Sequence, residues 1–492
     1  MNRLTGIAAT LSLLAGCAAG PNYRPPGPAT LRVPDTYAPP MTPPQAVAEE
    51  ADIVAWWRHI DDPLLTDLIA RATASNLRIA QSTGRLAQAR EALVQARGDL
   101  LPSLSGSAGA TRNYTRGGSS SIIVGGNNGT GGTIITTGGS SGRTQLSLGL
   151  DASWQADVFG GIRRSLQASR ADEAAARFDL EGVRTSVAGE VASNYIQARL
   201  AQVRLDIARS TLRAQDDNLQ IAGWRVQAGL VSALDSEQAR AQRAQTAATI
   251  PSLQTSYLQA VNRLAILAGD APGALRAEMD PERPIPSGPD AIAIGIPANT
   301  LRRRPDVRGA ERQLAAATAR VGVARAALFP ALAISGNINT GAASIGDLGR
   351  LITGGLFAGI TQTIFDAGRR KAQVRSAQAE VDIAFAAYRE TVLTGLEEVE
   401  NAAQALNAAR ARQAELAIAL DASNTAAIYA RSQYGSGLID FLRVLQSEQS
   451  LLSARDQLAS ARGDQALALV RLYLALGGGW EPAPSDPTEG PA

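Results

Sequence analysis

Side-chain chemistry in this chain is limited by supply. Its 492 residues include a single His, His59, and a single Cys, Cys17. A zinc site of the usual His/Cys kind needs several such ligands, and a disulfide needs a second thiol. Both are out of reach. Nothing resembling a nucleophile–base pair surrounds His59, which reads as a lone packed or exposed residue. The run Gly125-Gly126-Asn127-Asn128-Gly129 lacks the Lys and following helix of a phosphate loop, so it reads as a surface loop. The expectation is no catalytic residue, no metal and no cofactor. With 47 basic and 45 acidic residues interspersed, the chain also lacks the basic footprint of a nucleic-acid binder.

Cys17 is the exception, because of what precedes it. Arg3 and the apolar stretch Ile7 to Ala15 have the layout of a secretory signal, and the stretch is too short to span a bilayer. The run Leu14-Ala15-Gly16-Cys17 resembles a bacterial lipobox, which implies diacylation of the Cys17 sulfur and a mature chain beginning there. Ala18 follows rather than Asp, which implies sorting to the outer membrane. More than one acyl chain would anchor the protein stably. Pro21 to Pro44 should run extended, and the Gly/Pro-rich tail from Gly477 reads as disordered. No later segment supplies ~18 uninterrupted apolar residues, so any crossing of a membrane must be made by a barrel.

The elements that would build one come twice. An offset of 208 residues maps Asn262–Gly269 onto Val470–Gly477, Gly229-Leu230 onto Gly437-Leu438, and Glu190-Val191 onto Glu398-Val399. Each copy reads helix, strand, strand, long helix, turn, helix. Over Thr144 to Trp154, Leu146, Leu148, Leu150, Ala152 and Trp154 alternate with polar residues or Gly, the period of a strand with two different faces. Leu332, Ile334, Gly336 and Ile338 alternate likewise, with a partner expected from Leu356 to Phe365, while Ser103 to Tyr114 is weakly patterned. Four strands cannot close a membrane barrel, the smallest of which have about eight, so the barrel reading demands an oligomer.

The long helices carry the strongest periodic signal. Val187, Val191, Asn194, Ala198, Ala201, Leu205, Ala208, Leu212, Gln215, Leu219, Ala222 and Val226 follow a four–three spacing that defines a coiled-coil seam. A shift of 208 keeps most of the stripe. A helix from Gly161 to Gln227 would be about 100 Å long, which suits a tube or an arm. Pro251 should interrupt and kink the shorter helix from Ser232 to Ala268. Ser232-Ala233-Leu234-Asp235 reads as a capping box at its start, and Asp440 occupies the matching cap in the second copy.

Taken together, Trp154-Gln155-Ala156-Asp157-Val158-Phe159-Gly160, Arg303-Arg304-Pro305-Asp306-Val307, Phe365-Asp366-Ala367-Gly368-Arg369-Arg370 and Leu474-Ala475-Leu476-Gly477-Gly478-Gly479-Trp480 resemble the TolC family of outer membrane factors, its NodT-like efflux lipoproteins in particular. Trp56-Trp57 with Asp62-Pro63-Leu64 adds to the likeness, which runs from Trp56 to Trp480. The resemblance implies a mixed, mainly α fold, internally duplicated and trimeric. Each protomer would give four strands to a shared transmembrane β-barrel, and its helices would form a long periplasmic coiled-coil α-barrel. It implies a passive exit duct for small molecules, delivered by an inner-membrane pump of the resistance-nodulation-division (RND) class through a periplasmic adaptor. It implies no enzyme activity. The rivals are the outer channel of a protein secretion system and a lipid-anchored coiled-coil scaffold without a pore.

The division that follows is a signal peptide over 1–16, an extended segment over 17–60, a first repeat over 61–268, an equatorial linker over 269–300, a second repeat over 301–476 and a tail over 477–492. Arg163-Arg164 and Arg369-Arg370-Lys371 fall where strand meets long helix and read as anchors near the membrane boundary. The resemblance places Gly229, Leu230, Gly437 and Leu438 at the periplasmic tip, where adaptor hairpins dock. It matches Asp235 and Tyr434 to a pair that bonds between coils to hold the channel shut, although Asp235 equally fits a helix cap. Ile439 stands where the family's gate has Arg, and Arg443 and Gln446 stand at its later acidic positions, so an acidic constriction is not carried over.

Overall fold

The computed structural model describes residues 19–37, 51–115, 121–122, 135–136, 141–289 and 297–481. Cys17, the leader, most of the 117–142 loop and the tail beyond Glu481 lie outside them. The elements run α1 (Pro63–Ser75), α2 (Leu77–Gly98), β1 (Ser103–Thr115), β2 (Ser141–Ala156), α3 (Gly161–Gln227) and α4 (Ala233–Leu267). The second series is α5 (Pro297–Arg303), α6 (Pro305–Ala326), β3 (Ala331–Ala342), β4 (Ile352–Thr361), α7 (Arg369–Gly435) and α8 (Phe441–Ala475). Both long helices have 67 residues and both shorter partners 35, so the duplication is kept in length.

The chain divides into two compact units, each assembled from pieces of both copies. One holds residues up to Tyr23, Glu91–Arg170 and Ala315–Val381; the other holds Arg24–Arg90, Ala171–Leu314 and Asp382–Ala492. The first contains a four-stranded antiparallel sheet in the order β1-β2-β3-β4, and a two-residue ladder pairs Ser121 with Thr136 and Ile122 with Ile135. The weakly patterned β1 is a full partner, paired with β2 from Ser103↔Ser153 to Thr115↔Ser141. β4 starts four residues before the expected Leu356 and ends at Thr361. Its register against β3 extends to Thr340↔Ile352, and Phe365 lies beyond the strand, 86% exposed, on the segment leading into α7.

The second unit is helical. Its core gathers Trp56, Leu65, Leu68, Ile69, Tyr195, Ile196, Leu264, Leu267, Leu472 and Leu476, with Trp56 fully buried and stacked on Tyr473 at 5.5 Å. The motif Asp62-Pro63-Leu64 starts α1. Pro63 takes the first turn, the Asp62 carboxylate accepts from Leu64 N (3.0 Å) and Leu65 N (3.3 Å), and it also receives the Tyr195 hydroxyl at 2.6 Å. Burial and this bond push the Tyr195 hydroxyl up to about 12.

Arg304-Pro305-Asp306 begins α6 as its sequence suggests, and the Asp306 carboxylate accepts from Val307 N. Pro251 does not interrupt α4. The helix is continuous through it, because a proline removes one N–H while the flanking turns keep theirs.

The two arginines read as anchors near the membrane boundary differ in burial. Arg163 stays half exposed and pairs with Asp157, while Arg164 turns inward and is 4% exposed.

Candidate functional site

Two regions carry the functional reading, one in each unit. The sheet has two unlike faces. Cross-strand partners point to the same side, so the register Gly106↔Leu150↔Ile338↔Gly354 and its neighbours define one face. That face carries Leu104, Leu146, Leu148, Leu150, Trp154, Leu332, Ile334, Ile338, Ile352, Leu356 and Ile360. Nothing among the described residues covers it, and Leu104, Ile360 and Leu356 are 72%, 73% and 82% exposed. The opposite face carries Ser105, Ser107, Gln145, Ser147, Asp151, Ser153, Asn337 and Asn339, with Ser103 and Ser153 in hydroxyl contact at 2.8 Å. Phe357 is the one large apolar side chain on it.

An apolar face of this size is not tolerated in water. One greasy and one wet face is the arrangement of a strand between lipid and a lumen. Trp154 closes the apolar face at the helix-proximal end, its Nε1 donating to the Leu100 carbonyl at 3.0 Å. Tyr114 stands at the far end under the Arg112 guanidinium. The outer edges of β1 and β4 pair with no other strand among the described residues. Open edges inside a bilayer leave backbone groups unsatisfied, so they must be closed by further strands.

The second region is the pair of helix turns. Gly229 and Gly437 have φ of +70° and +76°, which glycine adopts at little cost. In each turn the residue after glycine, Leu230 or Leu438, donates back to the carbonyl of Arg225 or Gln433 at 2.9 Å, completing a six-to-one helix stop. Both leucines project into solvent, 72% and 74% exposed. Ser232 caps α4 by accepting from Leu234 N at 3.2 Å, and Asp440 caps α8 by accepting from Arg443 N at 3.1 Å. The reciprocal half of a capping box is absent, since the Asp235 carboxylate does not bond back to Ser232.

Tyr434 leans on Phe441 at 5.3 Å and lies under the Arg225 guanidinium, 4.3 Å from its ring centre. With Ala222, Ala239, Ala430, Val444 and Leu445, Phe441 forms a small apolar cluster beneath the second turn. Among the described residues of one chain the buried Tyr434 hydroxyl has no hydrogen-bond partner, Asp235 included. Arg225 and Phe441 are absent from the sequence-derived site. The signal that could have found Phe441 is the break in the repeat, since Ala233 holds the corresponding position.

The described residues hold no group of acidic, His or Cys side chains placed to bind a metal, and no helix long and apolar enough to cross a membrane. The profile of the family described as "Outer membrane efflux protein" matches residues 68–270 and 296–478. The chain belongs to that family. It is 29% identical over 478 residues to nodulation protein T of Rhizobium leguminosarum bv. trifolii, covering 96% of each chain. It is 31% identical over 435 residues to the pyoverdine export outer membrane protein OpmQ of Pseudomonas putida, covering 87% of this chain and 88% of that one. The solved structure of the outer-membrane channel OprN matches with a TM-score of 0.82 at 33% identity, across 95% of this chain and 100% of that one.

As an outer membrane efflux protein the chain is a channel component and not an enzyme, with the mainly helical fold and small antiparallel sheet of the TolC-like channels. The bare apolar face has the character of a lipid-facing channel wall. The polar face carries a single described acid, Asp151, and has the character of a lumen wall.

Proposed function

We propose that three copies of the chain close a barrel of twelve strands, four from each, and that the assembly is a passive exit duct. Small molecules would reach it from an RND-type inner-membrane pump through a periplasmic adaptor, and the free energy would come from that pump. The observation that supports this is the open-edged, two-faced sheet: its unpaired β1 and β4 edges are complementary within the molecule and can be satisfied by successive copies. The turns at Gly229-Leu230 and Gly437-Leu438 are the adaptor-facing tip, and a lipid on Cys17 adds a second hold on the outer membrane.

Protein purified in detergent should have a mass near three protomers and give discrete conductance steps in planar bilayers. A folded, monodisperse monomer without pore activity would overturn this in favour of a lipid-anchored scaffold. The tip reading has its own test. The Tyr434 hydroxyl lacks a partner among the described residues, so a bond to Asp235 would have to come from another copy or a rearranged tip. Asp235→Ala and Tyr434→Phe should each raise closed-state conductance, and the double variant should add little beyond either. Additive or absent effects would sink the pairing and leave Asp235 as a residue of the first helical turn.

A further inference from the structure

Arg164 lies in the first turn of α3 and is 4% exposed, yet its side chain meets no carboxylate among the described residues. Its Nε donates to the Ala19 carbonyl at 3.1 Å. Its Nη2 donates to the Gly20 carbonyl at 3.2 Å and to Asn22 Oδ1 at 2.8 Å, and its Nη1 to Gln167 Oε1 at 2.8 Å. Three of the four acceptors therefore belong to one short segment, Ala19–Asn22. A buried guanidinium is tolerated only when such acceptors replace its water. Arginine and segment thus require each other.

The backbone fit is equally close. Ala19 N donates to the Phe159 carbonyl at 3.0 Å. Gly20 has φ of +98°, and a Cβ there would lie 2.4 Å from Gly322 Cα. A Cβ on Gly322 would lie 2.7 Å from Arg164 Cγ and 2.9 Å from the Ala19 carbonyl oxygen. Two glycines on separate segments leave each other room that no larger residue leaves. A segment outside any helix or strand is ordinarily loose unless it is tied down, and this one is tied at four side-chain and backbone points.

We infer that Arg164 and Gly322 form a lock for the strap Ala19–Asn22, fixing the chain immediately after Cys17 against the helix-proximal end of the sheet. Cys17 is two residues from the first locked one, so no more than about 7 Å of extended chain separates them. An acyl group on Cys17 would accordingly be held beside the aromatic end of the sheet, where Phe159 stacks on Phe329 at 4.8 Å, instead of swinging on a loose tether. This consequence for the anchor rests on the lipid reading of Cys17, whereas the lock does not.

Hydrogen exchange of the purified full-length protein in detergent tests it, read at the Ala19 amide, with the β2–β3 amides as a check on folding. Arg164→Ala and Gly322→Ala should exchange that amide about tenfold faster or more, and Arg163→Ala should match the wild type. Wild-type protection in both lock variants would overturn the proposal. Should Arg164→Ala also expose the sheet, Asn22→Ala decides: it removes one acceptor without opening a cavity. Faster exchange confined to the strap supports the lock, and unchanged exchange overturns it. Cys17→Ser separates lock from lipid. Protection retained there supports the lock; protection lost there but kept in Arg164→Ala would make the lipid the holder and overturn it. Absent acyl labelling of wild-type Cys17 would overturn only the anchor consequence.

Discussion

At the junction of β2 with α3, the buried Arg164 is satisfied by carbonyls of the N-terminal strap. At the corresponding junction of β4 with α7, Arg370 is more open and donates to the Ala327 carbonyl at 2.5 Å and Thr363 Oγ1 at 2.6 Å. Further along the repeat the contrast reverses. In the first copy one acid, Glu190, joins two arginines, Arg78 and Arg263; in the second one arginine, Arg304, joins two acids, Asp306 and Glu398, and also the Ala475 carbonyl. At the turns the backbone is the same to within a few degrees at glycine, but Val226, Ser232 and Ala233 are replaced by Tyr434, Asp440 and Phe441. Duplication preserved the backbone and let the two copies diverge in what fastens it. At its strand–helix junction, hub and turn the first copy uses a buried arginine, a partly exposed acid and small residues; the second uses a more open arginine, a buried arginine and an aromatic pair.

Breaking the aromatic pair should have the largest effect. Phe441 is 3% exposed in the turn cluster, and Phe441→Ala should cost about 3–5 kcal/mol of local stability. Its counterpart Ala233→Gly should cost at most about 1 kcal/mol. Hydrogen exchange of the two turn segments, compared variant by variant, checks both. Equal losses would mean that the turns are fastened alike.

The ion hubs come next. The Arg304 side chain is 8% exposed, and Arg304→Ala should destabilise by about 3 kcal/mol, because two carboxylates and a helix-end carbonyl lose their donor. Glu190 is about one-third exposed between two half-exposed arginines, so Glu190→Gln should cost no more than about 1 kcal/mol. Thermal melts of the purified protein decide whether that order holds. Smaller still are the caps: Asp440→Ala should cost about 1 kcal/mol, and Ser232→Ala about 0.5 kcal/mol. Fraying of the first turns of α8 and α4, followed by exchange, measures each.

The smallest difference is one of acid sensitivity. Burial raises the Glu190 carboxylate, but the bonds and charges of Arg78 and Arg263 more than reverse this, leaving it below the ordinary 4.5. A depressed carboxylate stabilises fully above the unfolded value and loses that contribution as pH falls through the folded one. The stability gap between wild type and Glu190→Gln should therefore be constant above about pH 4.5 and close below it. A gap that widens on acidification would contradict the pairing.

The repeat, the long helices and the two faces of β2 and β3 were legible because each is a periodic pattern that local residues enforce. α3 runs over the residues its apolar stripe marks out, and its seam positions Val187, Val191, Ala198, Ala201 and Leu205 are buried. The limits of β4 were not legible, since a strand rich in Gly and Thr at its start is defined by its neighbour's register and not by its own alternation. Neither was the role of Asn76. Its side chain receives Arg78 N and Ile79 N at the α1–α2 break and donates to the Leu267 carbonyl, 191 residues away.

Taken alone, the sequence determined the elements, their duplication and the family motifs, because helix and strand periods are short-range properties written into every turn. Tertiary structure alone decided which of two adjacent arginines is buried, which member of each hub is shared, and that the Tyr434 hydroxyl meets no acceptor among the described residues. Arg163 and Arg164 are the same residue type one position apart. A helix turns 100° between them, and whether the inward one finds acceptors depends on a strap more than 140 residues distant in the chain. Such long-range complementarity leaves no period in the sequence from which to read it.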